Sequence, residues 1–232
     1  MKDLFGKALL DYQNNHYTED INTSTSISDD DELPLPYLFR SFKDMPKLEQ
    51  KALKLTKGRV LDVGCGAGNH SLYLQDKGFK VKAIDISKGA IEVARLRGVV
   101  HAEVIDILDE TETFDTILLL MNGTGIFQEV SQVSKYLTHL KSLLKPNGQI
   151  LIDSSDIKYM YEDEDGGFWI DTHANYYGEL DYFLTYKGEE EAPMKWLYLD
   201  FENLKFACET VGLKCELVIE GAHFDYLARL TI

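Results

Sequence analysis

An apolar run followed by three alternating glycines is the feature of this chain that most restricts its fold. Residues 60–63 read Val-Leu-Asp-Val, and Gly64, Gly66 and Gly68 follow at intervals of two. The run is typical of a buried parallel strand, and the glycines let the backbone reach unusual dihedral angles before a helix begins. Bare backbone at such a turn also allows a ligand to approach closely. The sequence therefore predicts a strand, a glycine loop and a helix that together bind a nucleotide.

The spacing of the glycines separates two classes of nucleotide site. A dinucleotide fingerprint reads Gly-x-Gly-x-x-Gly, and its third glycine would fall at Asn69. The pattern present is Asp-x-Gly-x-Gly-x-Gly, which resembles motif I of the class I S-adenosylmethionine (SAM)-dependent methyltransferases. A glycine-rich turn in another α/β protein is the alternative. The resemblance implies that SAM binds at Asp62, Gly64, Cys65, Gly66 and Gly68.

The next segment supplies an acid at the distance expected for ribose recognition. Residues 80–85 alternate between polar and apolar and then become apolar, as a strand does. Asp85 ends this strand about twenty residues past the loop, where a carboxylate accepts hydrogen bonds from both ribose hydroxyls. Nicotinamide enzymes share the feature, so Asp85 alone does not identify the cofactor. We expect Asp85 and the following Ile86 to contact SAM.

The resemblance also assigns the residues that follow the third strand. Residues 99–105 predict this strand, and Asp106 and Ile107 come directly after it. By resemblance, Asp106 binds the adenine amino group and Ile107 packs near the ring. A loop position or a helix cap is the other interpretation of Asp106.

A fourth strand over residues 114–120 runs into Met121 and Asn122. The resemblance places this junction beside the sulfonium and the methyl group in transit. Many amine-directed members of the family carry an Asn-Pro-Pro-Tyr-like motif here, whereas this chain continues from Asn122 with Gly-Thr-Gly. The difference argues against nucleic-acid and protein amino groups as acceptors.

The rest of the chain completes an α/β pattern. An amphipathic helix over residues 130–144 precedes a fifth strand over 149–153, so the resemblance covers residues 59–153. It implies a Rossmann-like seven-stranded sheet of order 3-2-1-4-5-7-6 with the seventh strand antiparallel, in a SAM-binding domain over residues 51–232. The remaining predicted elements are a helix over 201–211 and strands over 214–220 and 226–232.

Residues 1–50 precede this core and are predicted to form a helical lid segment. Residues 21–28 are rich in Thr, Ser and Asn and indicate a loop, while residues 46–55 indicate a short helix. In related enzymes such segments fold over the cofactor, so Tyr37 and Arg40 are candidates to meet the SAM carboxylate or the substrate. A surface helix with a solvated arginine is the alternative.

An aromatic-rich insertion is predicted over about residues 154–199. Residues 177–186 and 194–199 alternate like two antiparallel strands, which we place above the active-site end of the sheet. Ser155 and Tyr177 are therefore candidate substrate-binding residues. The aromatic side chains either wall a substrate pocket, or cage a cation, or build the core of the insertion itself.

Methyl transfer from a sulfonium needs chiefly an aligned nucleophile, so the sequence constrains a general base weakly. His223 and Asn122 are the candidate catalytic residues, and His223 is preferred because histidine titrates near neutral pH. A structural histidine in a β-turn is the alternative. The wider set of candidates near the carboxyl ends of strands four to seven contains Asp153, Ser154, Asp156 and His173.

Composition narrows the partners and the location. The net charge of −15 provides no basic stripe for nucleic acid. The acidic runs are either solvated loops or a rim that attracts a cationic substrate. Three cysteines make no disulfide framework, the histidines lack metal-ligand spacing, and no signal peptide or membrane-spanning run is apparent. We expect a cytoplasmic protein without a bound metal, a membrane or a nucleic-acid partner.

The sequence thus predicts an enzyme that transfers a methyl group from SAM to a small molecule by in-line displacement and releases S-adenosylhomocysteine (SAH). A SAM- or SAH-binding protein without turnover is one alternative. A nicotinamide-dependent oxidoreductase is another, which Asn69 in place of the third fingerprint glycine disfavours. The acceptor molecule, the acceptor atom and the oligomeric state do not follow from the sequence.

Overall fold

The fold is taken from a computed structural model that describes residues 2–163, 165, 167 and 176–232 of the 232-residue chain. Two sheets and seven α-helices are built from these residues. The larger sheet contains β3 (Arg59–Val63), β4 (Lys80–Asp85), β5 (Ala102–Val104), β6 (Phe114–Leu119), β7 (Leu144–Ser155), β11 (Lys214–Glu220) and β12 (Asp225–Thr231). The smaller sheet contains β1 (Ile21–Thr25), β2 (Ser28–Leu33), β8 (Glu179–Tyr186), β9 (Glu189–Glu190) and β10 (Met194–Leu197). The helices are α1 (Leu4–Gln13), α2 (Leu35–Leu38), α3 (Lys47–Leu55), α4 (Asn69–Asp76), α5 (Lys88–Leu96), α6 (Val130–Ser142) and α7 (Phe201–Thr210).

The larger sheet has the order β11-β12-β7-β6-β3-β4-β5. Strands β5, β4, β3, β6 and β7 pair in parallel, and β12 is antiparallel to both β7 and β11. Counted along the chain within this sheet, the order is 3-2-1-4-5-7-6 with an antiparallel seventh strand. The fold predicted from the sequence is confirmed.

The central strands are apolar because both faces of the sheet are covered. Alternate residues of β6 enter different clusters: Ile117 and Leu119 pack with α6 and α7, while Leu118 packs with α3 on the other face. All three side chains are completely buried. Each contributes about 1.5–3 kcal/mol relative to an exposed position, which makes the carboxyl ends of these strands a rigid base for a site.

The smaller sheet has the order β10-β8-β1-β2 and joins two distant parts of the chain. The strands expected in the insertion are present as β8 and β10. The loop predicted over residues 21–28 is wrong, since this segment forms a hairpin of β1 and β2. Strand β1 pairs antiparallel with β8, from Asn22 opposite Thr185 to Thr25 opposite Tyr182. The N-terminal segment and the insertion therefore share one sheet, and the predicted boundary at residue 50 remains a prediction.

Helix α1 lies against α5 at the edge of the glycine loop. Asp3 caps α1 by accepting the Gly6 N–H and also accepts hydrogen bonds from Ser87 Oγ (2.8 Å) and Gly89 N (2.9 Å). A Cβ on Gly89 would lie 2.5 Å from the Gly6 backbone, so the two helices cross in close contact. Within the part of the chain that the structure describes, no helix is both long and apolar enough to cross a membrane.

Candidate cofactor and active site

The glycine loop between β3 and α4 has the backbone conformation that its sequence predicts. Gly64, Gly66 and Gly68 have φ angles of 68°, 52° and 81°, in the left-handed region where other residues are strained. Gly68 also lies against Val99, whose Cγ2 would be 2.7 Å from an added Cβ. The N–H groups of Gly64 and Cys65 donate to the Ile84 carbonyl of β4, at 2.9 and 3.1 Å. These two hydrogen bonds fix the start of the loop to the neighbouring strand β4.

Asp85 at the end of β4 holds the same loop from the side. Its Oδ2 accepts the Gly66 N–H at 2.9 Å, and its Oδ1 accepts the Ser87 N–H at 2.9 Å. Burial raises the pKa of Asp85, although these two N–H groups oppose the rise. The next residue, Ile86, leaves 69% of its surface exposed. A fixed carboxylate next to an open apolar surface suits a ribose and the flat face of a base.

Asp106 and Ile107 after β5 have local partners. Asp106 Oδ1 accepts the Leu108 N–H at 2.9 Å and caps a 3₁₀ turn, as the alternative interpretation expected. The Ile107 side chain is buried in the main core, and its carbonyl accepts a hydrogen bond from His139 Nε2 at 2.8 Å. The core already surrounds the Ile107 side chain, so a contact of Asp106 or Ile107 with adenine stays a prediction.

The turn after β6 is conformationally strained and tied to β7. Met121 and Asn122 have φ angles of 67° and 60°, and neither is glycine. The buried Asp153 carboxylate accepts the N–H groups of Met121 (3.1 Å) and Gly123 (2.9 Å). Burial raises the pKa of Asp153 to about 7, against the effect of those two N–H groups. Asp153 therefore fixes a turn whose Met121 side chain remains 38% exposed.

Asn122 belongs to a polar network that joins this turn to the smaller sheet. Asn122 Oδ1 accepts from Ser154 Oγ at 3.0 Å, and its Nδ2 donates to the Leu197 carbonyl at 3.3 Å. Thr124 Oγ1 donates to Ser154 Oγ at 2.6 Å and is also 3.0 Å from the Leu197 carbonyl. Both ends of the Asn122 amide thus have protein partners, which suits a positioning role. The catalytic assignment of Asn122 stays a prediction.

Asp62 lies beneath the glycine loop. Its side chain is 2% exposed, and its Oδ2 accepts the Ser71 hydroxyl of α4 at 2.6 Å. The other oxygen, Oδ1, is 3.9 Å from His70 Nδ1. Burial raises the pKa of Asp62, while the charge of His70 and the Ser71 hydrogen bond oppose the rise. Asp62 therefore anchors the first turn of α4 to β3 and supports the loop from below.

Arg40 is buried, so the alternative of a solvated arginine is wrong. Its Nη2 lies 2.5 Å from Glu49 Oε1, and its Nη1 donates to the Tyr37 carbonyl at 2.7 Å. The guanidinium also stacks on the Tyr37 ring, with Cζ 3.9 Å from the ring centroid. Arg40 Nε is buried without a hydrogen-bond partner. An unpaired buried donor of this kind fits an anionic group of a ligand, such as the carboxylate of SAM.

Tyr177 and Ser155 lie on the side of the site formed by β7 and β12. Tyr177 donates to Asp156 Oδ1 at 2.8 Å, and burial together with this carboxylate raises its pKa. Ser155 is half-buried at the end of β7, opposite Asp225 of β12. Tyr177, Ser155 and Asp156 therefore come together at the base of the insertion.

His223 is exposed in the turn between β11 and β12, where its N–H donates to Asp225 Oδ1. This turn lies at the same edge of the sheet as the glycine loop. Three strand spacings separate β12 from β3, which amounts to about 14 Å. His223 and the glycine loop are thus not brought together, and a catalytic role for His223 stays a prediction. His173 lies outside the described residues.

Three residues at this edge were not found from the sequence: Asp3, Glu49 and His70. None belongs to a recognisable motif, and Glu49 appears in the sequence as one acid in a charged helix. The only sequence signal for His70 was its position, since it follows the glycine loop directly and is the second residue of the helix. Among the described residues, no group of three or more His, Cys, Asp or Glu side chains is arranged to hold a metal ion.

Comparison with known proteins agrees with this geometry. The family described as a methyltransferase domain matches residues 37–216. The solved structure of a SAM-dependent methyltransferase from Bacteroides fragilis, in complex with S-adenosyl-L-homocysteine, is 45% identical with a TM-score of 0.93. The match covers 100% of this chain and 95% of that one. The chain therefore belongs to the class I SAM-dependent methyltransferases, whose cofactor is SAM.

More distant matches show the extent of the likeness. The PH0226 protein from Pyrococcus horikoshii OT3 has a TM-score of 0.59 at 19% identity, over 79% of this chain and 88% of that one, and shares the fold. A ubiquinone biosynthesis O-methyltransferase from Rickettsia conorii is 28% identical over 47% of this chain and 38% of its own length. The chain spans less than half the length of three curated relatives that it matches: 46%, 47% and 38%.

Proposed function

We propose that this protein transfers the methyl group of SAM to a small-molecule acceptor and releases SAH. The observation that carries the proposal is the arrangement at the end of β4, which we call the loop edge: Asp85 accepts the Gly66 N–H of the glycine loop, and the apolar Ile86 is exposed beside it. Such an edge offers a ribose acceptor and an apolar contact for adenine without rearrangement. The net charge of −15 supports a small molecule over a nucleic acid as acceptor.

The proposed roles follow from the geometry of each residue. Asp85 binds the ribose hydroxyls, Ile86 contacts the adenine, and the backbone of Gly64 to Gly68 lies against the cofactor. Asp62 acts indirectly, because it is buried and engaged with Ser71 and His70. Arg40 supplies an N–H for the carboxylate at the amino-acid end of SAM.

SAM supplies an activated methyl group, so this chain contributes mainly position. The nucleophile and the methyl carbon must be held about 3–3.5 Å apart and in line. The turn at Met121 and Asn122, fixed by Asp153 and Ser154, is the part of the chain suited to hold the reacting end of the cofactor. The acceptor would approach past the end of β7 and the base of the insertion, where Ser155 and Tyr177 are the proposed contacts, with Tyr37 as the proposed contact from the N-terminal segment.

Calorimetric titration of SAH tests the cofactor part of the proposal. We expect Asp85→Asn to weaken SAH binding at least about tenfold, because a hydrogen bond to a charged group contributes about 1.5–3 kcal/mol. The control is Asp76→Asn, which alters an exposed carboxylate in the last turn of α4 and should leave the affinity unchanged. Absence of SAH binding to folded wild-type protein would refute the proposal.

A labelling experiment tests the acceptor part. The protein is incubated with SAM carrying an isotopic label in its methyl group and with cell extract separated by molecular mass. Label in the low-mass fraction supports a small-molecule acceptor. Label confined to the nucleic-acid or protein fractions, with SAH binding intact, would contradict that part and leave the cofactor assignment standing.

A further inference from the structure

Four ionisable side chains are buried in a row beside the glycine loop. Arg40 follows α2, Glu49 lies in α3, His70 is in the first turn of α4, and Asp62 lies in β3. Their side chains are 3%, 4%, 8% and 2% exposed. We refer to these four residues as the buried charge row.

Glu49 connects the two halves of the buried charge row. Its Oε1 is 2.5 Å from Arg40 Nη2, and its Oε2 is 2.8 Å from His70 Nε2. His70 Nδ1 is 3.9 Å from Asp62 Oδ1. One Glu49 oxygen therefore binds Arg40, which follows α2, and the other binds His70 in α4. Through His70, the carboxylate connects the N-terminal segment to the start of the helix after the glycine loop.

The charges in the row sustain one another. Burial disfavours a charged His70, but the hydrogen bond of Glu49 and the charges of Asp62 and Glu49 outweigh it and raise its pKa, while Arg40 opposes them. Burial likewise disfavours a charged Glu49, yet His70 and Arg40 hold the pKa of Glu49 below its ordinary value. At neutral pH we therefore expect an ionised Glu49 beside the Arg40 guanidinium, with a hydrogen bond to His70 that favours the protonated imidazole.

Stability alone is a poor explanation for such a row. Removing several charges from water costs about as much as their mutual attraction returns, so buried ion pairs add little net stability. For this row we infer that the main contribution is fixed geometry, because a hydrogen bond between charged groups is directional and holds both partners in place. The question is then which group needs to be held in place.

Arg40 is the member of the row with an unused donor. Glu49, the Tyr37 carbonyl and the Tyr37 ring fix its guanidinium on three sides, and Nε is left buried and unpaired. The first two residues of α4 reach this segment, since Asn69 Nδ2 donates to the Leu38 carbonyl at 2.7 Å and His70 binds Glu49 at 2.8 Å. The guanidinium is thereby tied to the start of α4, directly after the glycine loop against which the cofactor is proposed to lie.

We propose that Glu49 is a positioning residue for the cofactor, which orients Arg40 so that its Nε–H binds the carboxylate at the amino-acid end of SAM. Through His70, the same carboxylate fixes Arg40 relative to the glycine loop. This inference rests on the proposed function, since it assigns a partner within the same site. Glu49 itself touches neither the cofactor nor the acceptor.

A pair of ligands separates this role from a general structural one. SAH carries the amino-acid end, whereas 5′-methylthioadenosine has the same adenosine and thioether without it. We expect Glu49→Gln, which keeps the side-chain size and removes the charge, to weaken SAH binding about tenfold or more by calorimetry. Binding of 5′-methylthioadenosine should change by less than about twofold, because Arg40 does not contact that ligand.

Glu112→Gln is the matched control. Glu112 also pairs with an arginine, Arg59, and additionally with Lys82, but Arg59 begins β3 at the end opposite the glycine loop. This variant should bind both ligands as the wild type does. Arg40→Lys is the second test variant: it removes Nε–H, keeps the charge, and should weaken SAH binding without affecting 5′-methylthioadenosine.

The outcomes distinguish this inference from the function on which it rests. If Glu49→Gln weakens neither ligand, or weakens both equally, the positioning role is refuted while the cofactor assignment stands. If Glu49→Gln does not fold, Arg40→Lys keeps the proposal open to refutation: unchanged SAH binding in that variant would remove the contact that Glu49 is proposed to orient. Wild-type protein that binds neither ligand would overturn the proposed function and this inference with it.

Discussion

The buried carboxyl of Asp153 makes a specific prediction about stability and pH. Burial raises the pKa of Asp153 from 3.8 to about 7, although the Met121 and Gly123 N–H groups favour its ionised form. Between these two values the folded protein binds a proton that the unfolded chain releases. The free energy of unfolding should therefore fall as the pH rises from about 4 to about 7. A shift of this size corresponds to about 4 kcal/mol, as an order-of-magnitude upper value.

Asp153→Asn removes the titration while keeping the size of the side chain and one acceptor. Urea unfolding of wild type and variant at several pH values between 5 and 8 gives the free energy at each pH. We expect the wild-type curve to fall more steeply than the variant curve, since the other buried groups, Glu49, His70 and Asp62, titrate in both proteins. Asp76→Asn, at an exposed site, should run parallel to the wild type. Parallel curves for wild type and Asp153→Asn would refute the reasoning.

Two further changes test how the loop edge is built. Gly68→Ala should destabilise the protein by about 1–3 kcal/mol, because φ is 81° and the new Cβ would lie 2.7 Å from Val99 Cγ2; an unchanged urea midpoint would contradict this. Asp3→Ala removes the cap of α1 and the bonds to Ser87 and Gly89, and should cost about 1–2 kcal/mol in the same assay. A loss below about 0.3 kcal/mol would show that α1 does not depend on this cap.

Sequence patterns predicted the larger sheet because each of its strands, and the glycine loop, can be recognised from a short continuous stretch of sequence. The glycines at 64, 66 and 68 are required by backbone angles that few other residues adopt, so their spacing states the shape of the loop directly. Asp85 follows from the same logic, since it ends the strand next to the loop and accepts the Gly66 N–H. The central strands are rich in buried apolar residues because helices cover both faces.

The smaller sheet was only half predicted, because part of its information is not local. Strands β8 and β10 alternate visibly, but the segment at 21–25 reads Ile-Asn-Thr-Ser-Thr, which is equally typical of a polar loop. Its pairing partner, β8, lies more than 150 residues further along the chain, as the pair of Asn22 and Thr185 shows. A one-dimensional pattern contains no signal for such a partner, and pairing with β8 decides the conformation of β1.

The buried charge row was missed for a related reason. Glu49 and Lys51 lie two positions apart in α3, about 200° around the helix, and Glu49 is buried whereas Lys51 is exposed. Composition alone predicts that both face solvent, since acids and lysines are rarely buried without a partner. The partners of Glu49 are Arg40 and His70, which reach it from either side of the glycine-loop strand in sequence. Hydrophobic periodicity therefore does not reveal ion pairs between different elements. In this chain such pairs lie beside the glycine loop.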